Sequence, residues 1–458
     1  MPAATGPILS LARSGATSRA WEAFLAAGLN GVDEVEILTL KGRLLKDRAR
    51  LAIGLERAEL FAQAETAYER AAALHPDSYP LINASAMALF AGERVQSELL
   101  ANKVLHLIET GADKGETPYW CEATRAEALL LLGRQTDAAK SFQEAVELAP
   151  TAWEDRAATL RQFALIAAHT NADVAWLDRF RPPAVLHYSG ILGIAPDDRT
   201  AAKAIQSAIE AIAPGFAFGA LAAGADIIAA EAMVASGVEL NVVLPSDPSD
   251  FRLSSVAPSG ADWEQRFAAL LDNANSVTIC GSSEGTSAAG VMLAEYHAMG
   301  MAAELAGQLE TRAVALRIEP AGRPVLGDPW LKSGRELHRV EIEGDTAVSS
   351  APLPKGELVF DVAIDGAPPE TYLDLDEALE VLATARDQIA ALDCRLDDPQ
   401  KVRTLLTHGE AGMLVASRSA ALALLAFGAV RRVEPVGEMA APAGPVEICL
   451  TKLTKSGG

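Results

Sequence analysis

Two small-residue loops and one pair of acids hold most of the residues of this chain whose types and spacing could do chemistry. Gly219-Ala220-Leu221-Ala222-Ala223-Gly224-Ala225-Asp226 lies between an apolar stretch that starts at Phe216 and a helix predicted over 227–236. Small side chains there let backbone N–H groups approach a phosphate, and a helix N-terminus adds partial positive charge. The loop has no Lys-Ser/Thr of a P-loop and does not match G-x-G-x-x-G, and tight turn packing selects the same residue types. Asp226 falls in the first helical turn, where the dipole favours an acid. Glu231 follows five residues on, where it could be no more than solvated. A second loop, Gly281-Ser282-Ser283-Glu284-Gly285-Thr286, follows another apolar run, and Ser189-Gly190 ends an earlier one. The candidate ligand-binding residues are therefore Ser189, Gly190, Gly219, Ala223, Gly224, Asp226, Glu231, Gly281 and Thr286. No catalytic residue and no metal ligand is assigned. His187, on a predicted buried strand, reads as a satisfied core residue. His297 and His338 show no metal-ligand spacing, and no G-x-S-x-G elbow exists. Cys121, Cys280, Cys394 and Cys449 are far apart, form no C-x-x-C pair and read as reduced thiols.

The elements that must position these loops alternate. A break at Arg181-Pro182-Pro183 precedes the short strand Ala184-Val185-Leu186-His187-Tyr188-Ser189-Gly190. A helix is expected over 200–212, then the apolar stretch from Phe216, the helix over 227–236 and a strand over 239–244. Further strands are expected over 277–280, 313–318 and 337–342, with a helix over 288–305. Strands alternating with helices imply a doubly wound parallel sheet. In that architecture loops at one edge of the sheet form the ligand crevice.

Over residues 184–345 the chain resembles Rossmann-like domains of the SLOG type, related to lysine-decarboxylase-like nucleotide binders. The resemblance rests on Ala222-Ala223-Gly224-Ala225-Asp226-Ile227-Ile228 with Glu231-Ala232, on Gly237-Val238-Glu239-Leu240-Asn241-Val242-Val243-Leu244-Pro245, on Asp250-Phe251 with Ser255-Val256, and on Trp263 with Arg266-Phe267. It implies sensing of a nucleotide or nucleotide-derived ligand. Where family members carry a Gly-Gly-Thr-type loop before the final strand, this chain reads Ala321-Gly322-Arg323-Pro324-Val325-Leu326-Gly327-Asp328.

Residues 19–180 are rich in Ala, Leu and Glu with apolar positions at helical spacing. Ala64, Tyr68, Ala71 and Pro76 repeat as Ala138, Phe142, Ala145 and Pro150, with the prolines 74 residues apart. Small residues let two helices approach, an aromatic fills the gap, and the proline ends the second helix. Ser85, Gly92, Ser97, Ala101 and Val104 supply a degraded middle unit. An ordinary helical bundle would use the same composition. The pattern resembles tetratricopeptide repeats, about three units over 40–150, without the tryptophan usual in the first helix. The resemblance implies a groove for a peptide or a neighbouring domain, and no chemistry.

The last third starts from the strand Glu357-Leu358-Val359-Phe360-Asp361-Val362, followed by an amphipathic helix over 374–392. Glu410 lies 49 residues beyond Asp361, and residues 432–438 and 444–450 read as a terminal hairpin. A generic α+β domain fits these elements. Their order is also similar to class III nucleotide cyclases, in which two Asp hold two metal ions. On that resemblance Asp361 falls on the first Asp and Glu410 on the second. The strands and helix that would carry the transition-state groups have no room before the hairpin, so a catalytically dead domain is expected.

Composition closes the function classes. The chain has 458 residues, with 39 basic against 61 acidic and a net charge of −22. No basic cluster suits nucleic acid or anionic lipid, and no apolar run reaches the ~20 residues of a membrane span. Met1-Pro2-Ala3-Ala4 starts no signal peptide, so a cytoplasmic protein is expected. The expected fold class is α plus α/β multidomain. It comprises a helical repeat array (1–180), a doubly wound Rossmann-like sheet (181–350) and a small C-terminal α+β domain (351–458). The expected function is non-catalytic signalling or regulation, with a protein partner or the chain's own middle domain on the repeats. A nucleotide-derived ligand is expected in the crevice, and no certain cofactor. The alternatives are a nucleotide-processing enzyme, either a cyclase using Asp361 and Glu410 or a hydrolase using Glu231, and a pure scaffold.

Overall fold

The computed structural model describes residues 5–14, 16–111, 117–281, 285–322, 328–342, 353–385, 387–396, 401–409, 411–439 and 446–454. The chain divides into two compact units, Met1–Pro182 and Pro183–Gly458.

The first unit is helical throughout its described residues. Its α-helices are α1 (Thr5–Ser14), α2 (Thr17–Ala26), α3 (Val35–Leu51), α4 (Gly54–Leu74), α5 (Ser78–Ala91), α6 (Arg94–Glu109), α7 (Pro118–Leu131), α8 (Gln135–Leu148) and α9 (Trp153–Thr170). They pack as the pairs α3/α4, α5/α6 and α7/α8, for the reason that the spacing of small and aromatic residues predicts. On α4, Ala64, Tyr68 and Ala71 are buried, and Ala64 and Tyr68 share a core with Leu45 and Ala49 of α3. Gly42 marks the closest approach, since a Cβ there would stand 2.7 Å from the Tyr68 ring. In the middle pair a hydroxyl contact replaces an apolar one: Ser85 Oγ donates to the Ser97 carbonyl at 2.8 Å. On α8, Phe142 packs edge-on against Phe163 of α9, with ring centres 5.2 Å apart. α4 stops at Leu74, just before Pro76, and Asp77 caps α5 by accepting from the Tyr79 N–H at 2.9 Å.

The second unit holds two six-stranded sheets. The first contains β1 (Ala184–Gly190), β2 (Pro214–Gly219), β3 (Glu239–Leu244), β4 (Ser276–Ile279), β5 (Ala313–Pro320) and β6 (Glu336–Ile342). All its pairings are parallel, in the order β4-β3-β2-β1-β5-β6. The crossover helices are α10 (Arg199–Ile212), α11 (Ala225–Ala235), α12 (Pro248–Ser255), α13 (Ala261–Asn273), α14 (Ala288–Gln308) and the short α15 (Pro329–Lys332). α10 shows why they cover the sheet. Asp198 caps its first N–H groups, while Ala201, Ile205, Ile209 and Ile212 form one buried stripe. This is the doubly wound architecture that the alternation predicts.

The second sheet is mixed, in the order β11-β12-β10-β9-β7-β8. Its strands are β7 (Val359–Ile364), β8 (Glu370–Tyr372), β9 (Ala390–Arg395), β10 (Leu414–Ser417), β11 (Val430–Met439) and β12 (Val446–Leu453). Its helices are α16 (Leu375–Thr384), α17 (Lys401–Leu406) and α18 (Arg418–Ala426). α16 ends at Thr384, earlier than the residue 392 expected, because Ala390–Arg395 pair as β9 with β7 and β10. β11 and β12 form the terminal antiparallel pair. α14 lies between the sheets, against β1, β2 and β3 on one side and α18 on the other. The crossing is close because Gly300 has no side chain: a Cβ there would stand 2.3 Å from the Leu422 carbonyl oxygen. Arg418 of α18 ties the same crossing to Glu304 of α14 at 2.8 Å.

Candidate functional site

The parallel sheet reverses its winding between β1 and β5, since β2 to β4 build outward from β1 on one side and β6 extends the other. In open α/β sheets the carboxyl ends of the strands flanking such a reversal form a ligand crevice. Ser189 and Gly190 end β1 there, and the turn 220–224 brings Ala223, Gly224 and Asp226 beside them.

Two of the backbone donors at this place are taken by a side chain of the chain itself. The Asp226 carboxyl group reaches back from α11 and accepts from the Gly190 N–H at 2.9 Å and the Ala222 N–H at 3.3 Å. Burial first, then the negative Glu295 nearby, raise Asp226 to about 8 against those two hydrogen bonds. The acid in the first turn of α11, expected to favour the helix dipole and offered as a ligand-binding candidate, thus fills the loop itself. The small residues around it are fixed by chain packing. A Cβ on Gly190 would lie 2.4 Å from Ala225 Cβ. One on Gly224, whose φ is +123°, would lie 2.7 Å from the Ile191 carbonyl oxygen. Gly219 abuts Tyr188 in the same way, with 2.6 Å to its carbonyl oxygen.

The remaining candidates lie apart from this knot. Glu231 is not merely solvated: Arg266 donates to it at 2.7 Å, stacks 4.2 Å above Trp263 and also reaches the Pro196 carbonyl. Gly281 sits against β3's exit, where a Cβ would lie 1.6 Å from the Pro245 carbonyl oxygen. Thr286 Oγ1 is 2.6 Å from Ser246 Oγ, both buried. Residues 282–284 of that loop, and 323–327 of the loop before β6, lie outside the described residues.

Sequence reasoning missed the polar cluster behind the crevice. Arg317 of β5 donates to His187 Nδ1 of β1 at 2.8 Å and to Asp328 at 2.7 Å, and all three are buried. Glu295 of α14 closes the cluster. It stands 3.5 Å from Arg317, faces His187 Nε2 at 3.4 Å and accepts from Ser189 Oγ at 3.2 Å. With Arg317 donating to Nδ1, His187 carries its proton on Nε2. That N–H points toward the Glu295 carboxylate, so the buried histidine has a polar neighbour at each ring nitrogen. Burial keeps His187 below its ordinary pKa despite the pull of Glu295. Burial works the other way on Glu295, but His187, Arg317 and Ser189 outweigh it and hold the carboxyl down at about 2. About a third of the Glu295 side chain is exposed, at 35%. The signal that could have found the cluster is an Arg inside the apolar run Ala313–Pro320: a buried guanidinium demands partners.

In the second sheet Asp361 is occupied. Its carboxylate is paired with Arg395 and accepts from Thr371 Oγ1 at 2.6 Å. Glu410, the expected second acid, lies outside the described residues. Among the described residues no group of His, Cys, Asp and Glu has metal-holding geometry, and no helix is long and apolar enough to cross a membrane.

Residues 7–89 match the family model described as Tetratricopeptide Repeats-Sensor. The match spans α1 to α5 and identifies tetratricopeptide-like helical repeats, a class that commonly mediates protein interactions. No curated protein matches the chain. Among solved structures, an O-GlcNAc transferase mutant from Thermobaculum terrenum is similar at 12% identity, over 62% of this chain and 51% of its own, with a TM-score of 0.20. The chain thus spans about half the length of that protein. A likeness this loose carries nothing about activity.

Proposed function

We propose that the chain is a non-catalytic regulatory protein whose helical repeats hold a protein segment. In this reading residues 181–350 are a SLOG-type sensor of a nucleotide-derived ligand, and residues 351–458 a degenerate cyclase-like module. The observation that carries the reading is the pairing of Glu295 with Ser189 at the winding reversal. An ionised, part-exposed carboxylate beside a hydroxyl suits the hydroxyl groups of a ribose. It does not suit a phosphate, and two of the loop donors, the N–H groups of Gly190 and Ala222, are held by Asp226. Ligand contact therefore falls on Ser189 and Glu295, with Gly190, Gly224 and Asp226 shaping the floor.

The acids that an enzyme would need are engaged elsewhere, Glu231 by Arg266 and Asp361 by Arg395. That favours binding over turnover. A thermal-shift screen of the full chain against nucleotides, NAD and ADP-ribose, with and without Mg²⁺, tests the reading. A saturable rise that disappears in Gly224→Trp, with the ligand recovered chemically unchanged, is expected. Metal-dependent turnover of ATP or GTP that is lost in Asp361→Ala would replace this reading with the cyclase.

A further inference from the structure

A second cleft lies at the opposite end of the parallel sheet, and its chemistry is the reverse of the crevice. It has a volume of about 530 Å³ and runs between the C-terminal end of α14, the starts of β5 and β6, and the start of β11. Arg335, Arg431, Thr311, Ser333, Thr454 and Gly307 are among its lining residues, and no Asp or Glu is among the described ones.

Arg335 sits just before β6 and donates to the carbonyl of Ala426, the last residue of α18, at 3.0 Å. Its guanidinium also lies 5.1 Å from the centre of the Trp330 ring. Burial pushes it down to about 10, and no carboxylate offsets that burial. Arg431 falls where β11 bulges between Val430 and Val433, and a bulge re-aims side chains that a regular strand would alternate. Two guanidinium groups with no acid among the described lining residues are unusual company in a chain of net charge −22. Arg335 is half-buried with a neutral carbonyl as its partner and Arg431 is exposed, so a bound anion would supply the counter-charge that the carbonyl does not.

We propose that this cleft binds a phosphate-bearing small anion through Arg335 and Arg431. The planar fork of Arg matches phosphate oxygens, and a volume in this range accommodates a ligand of nucleotide size. The site goes beyond the crevice reading: it lies at the amino ends of the strands and shares no residue with Ser189 or Glu295.

Inorganic pyrophosphate separates the two sites because it has no ribose for the crevice to hold. Isothermal titration of the full chain, without Mg²⁺ and at constant ionic strength, is expected to show saturable binding. Losing one charge-assisted contact should weaken it about tenfold or more in Arg431→Glu. Gly307→Glu, which adds a carboxylate where a Cβ meets open space, should do the same, whereas Glu295→Gln should leave it unchanged. Cooperative melts at or above the wild-type temperature show that the two cleft variants fold. No saturable heat, binding that survives both cleft variants, or binding lost in Glu295→Gln would each overturn the proposal, and none of these results bears on ribose binding at the crevice.

Discussion

Asp226→Asn removes a titration from the floor of the crevice while keeping the shape of the side chain. In the folded chain Asp226 has its pKa raised from 3.8 to about 8 by burial and by Glu295, with Arg317 and the two backbone N–H groups opposing. Tyr188 faces it from β1. Because the acid is raised, the folded state holds a proton that the unfolded state releases between about pH 4 and pH 8. Its contribution to stability is therefore fully present below the unfolded pKa and is lost as the pH rises through the folded one. At 1.36 kcal/mol per unit, the whole window is worth roughly 6 kcal/mol. Between about pH 5 and pH 7 the wild type should lose about 2.7 kcal/mol relative to Asp226→Asn. Urea denaturation of both proteins across that range, followed by tryptophan fluorescence, measures the difference. Other groups titrate in both proteins and largely cancel. Parallel stability profiles, within about 0.5 kcal/mol over the range, would refute the assignment of a protonated Asp226.

Three further outcomes follow from the packing. Arg395→Ala leaves Asp361 buried without its cation and should cost about 3–5 kcal/mol in urea denaturation, with part of the loss recovered when Asp361→Asn is added. Gly42→Ala drives a methyl group into the Tyr68 ring and should destabilise the helical unit by about 1–3 kcal/mol. Gly307→Ala, in a helix with open space around it, should instead gain up to about 1 kcal/mol, so thermal melts of the two glycine variants should move in opposite directions.

Much of the architecture is legible from local pattern. The Ala-aromatic-Ala spacing of α4 and α8 encodes close helix pairs, and the alternation from residue 184 onward encodes a parallel sheet. The helix expected to 392 failed because Ala390-Ala391-Leu392 is equally apolar as a helix face or as a buried strand, and only its pairing with β7 and β10 decides. The loops were legible as small-residue turns, but not the reason for them. Gly190, Gly224 and Gly281 are small because other chain segments press on them, a fact that depends on residues far away in sequence. The cluster of His187, Arg317, Asp328 and Glu295 was hidden because its members come from four separate segments. Each looks unremarkable alone, and only the β1–β5 pairing and the seat of α14 bring them together.

The central claim is that the crevice binds a ribose-bearing ligand through Glu295 without turning it over. Isothermal titration of ADP-ribose into the full chain and into Glu295→Gln tests it most directly. The account predicts saturable binding to the wild type, weakened about tenfold or more in the variant, with ADP-ribose recovered intact. No binding, or equal binding by both proteins, would contradict it.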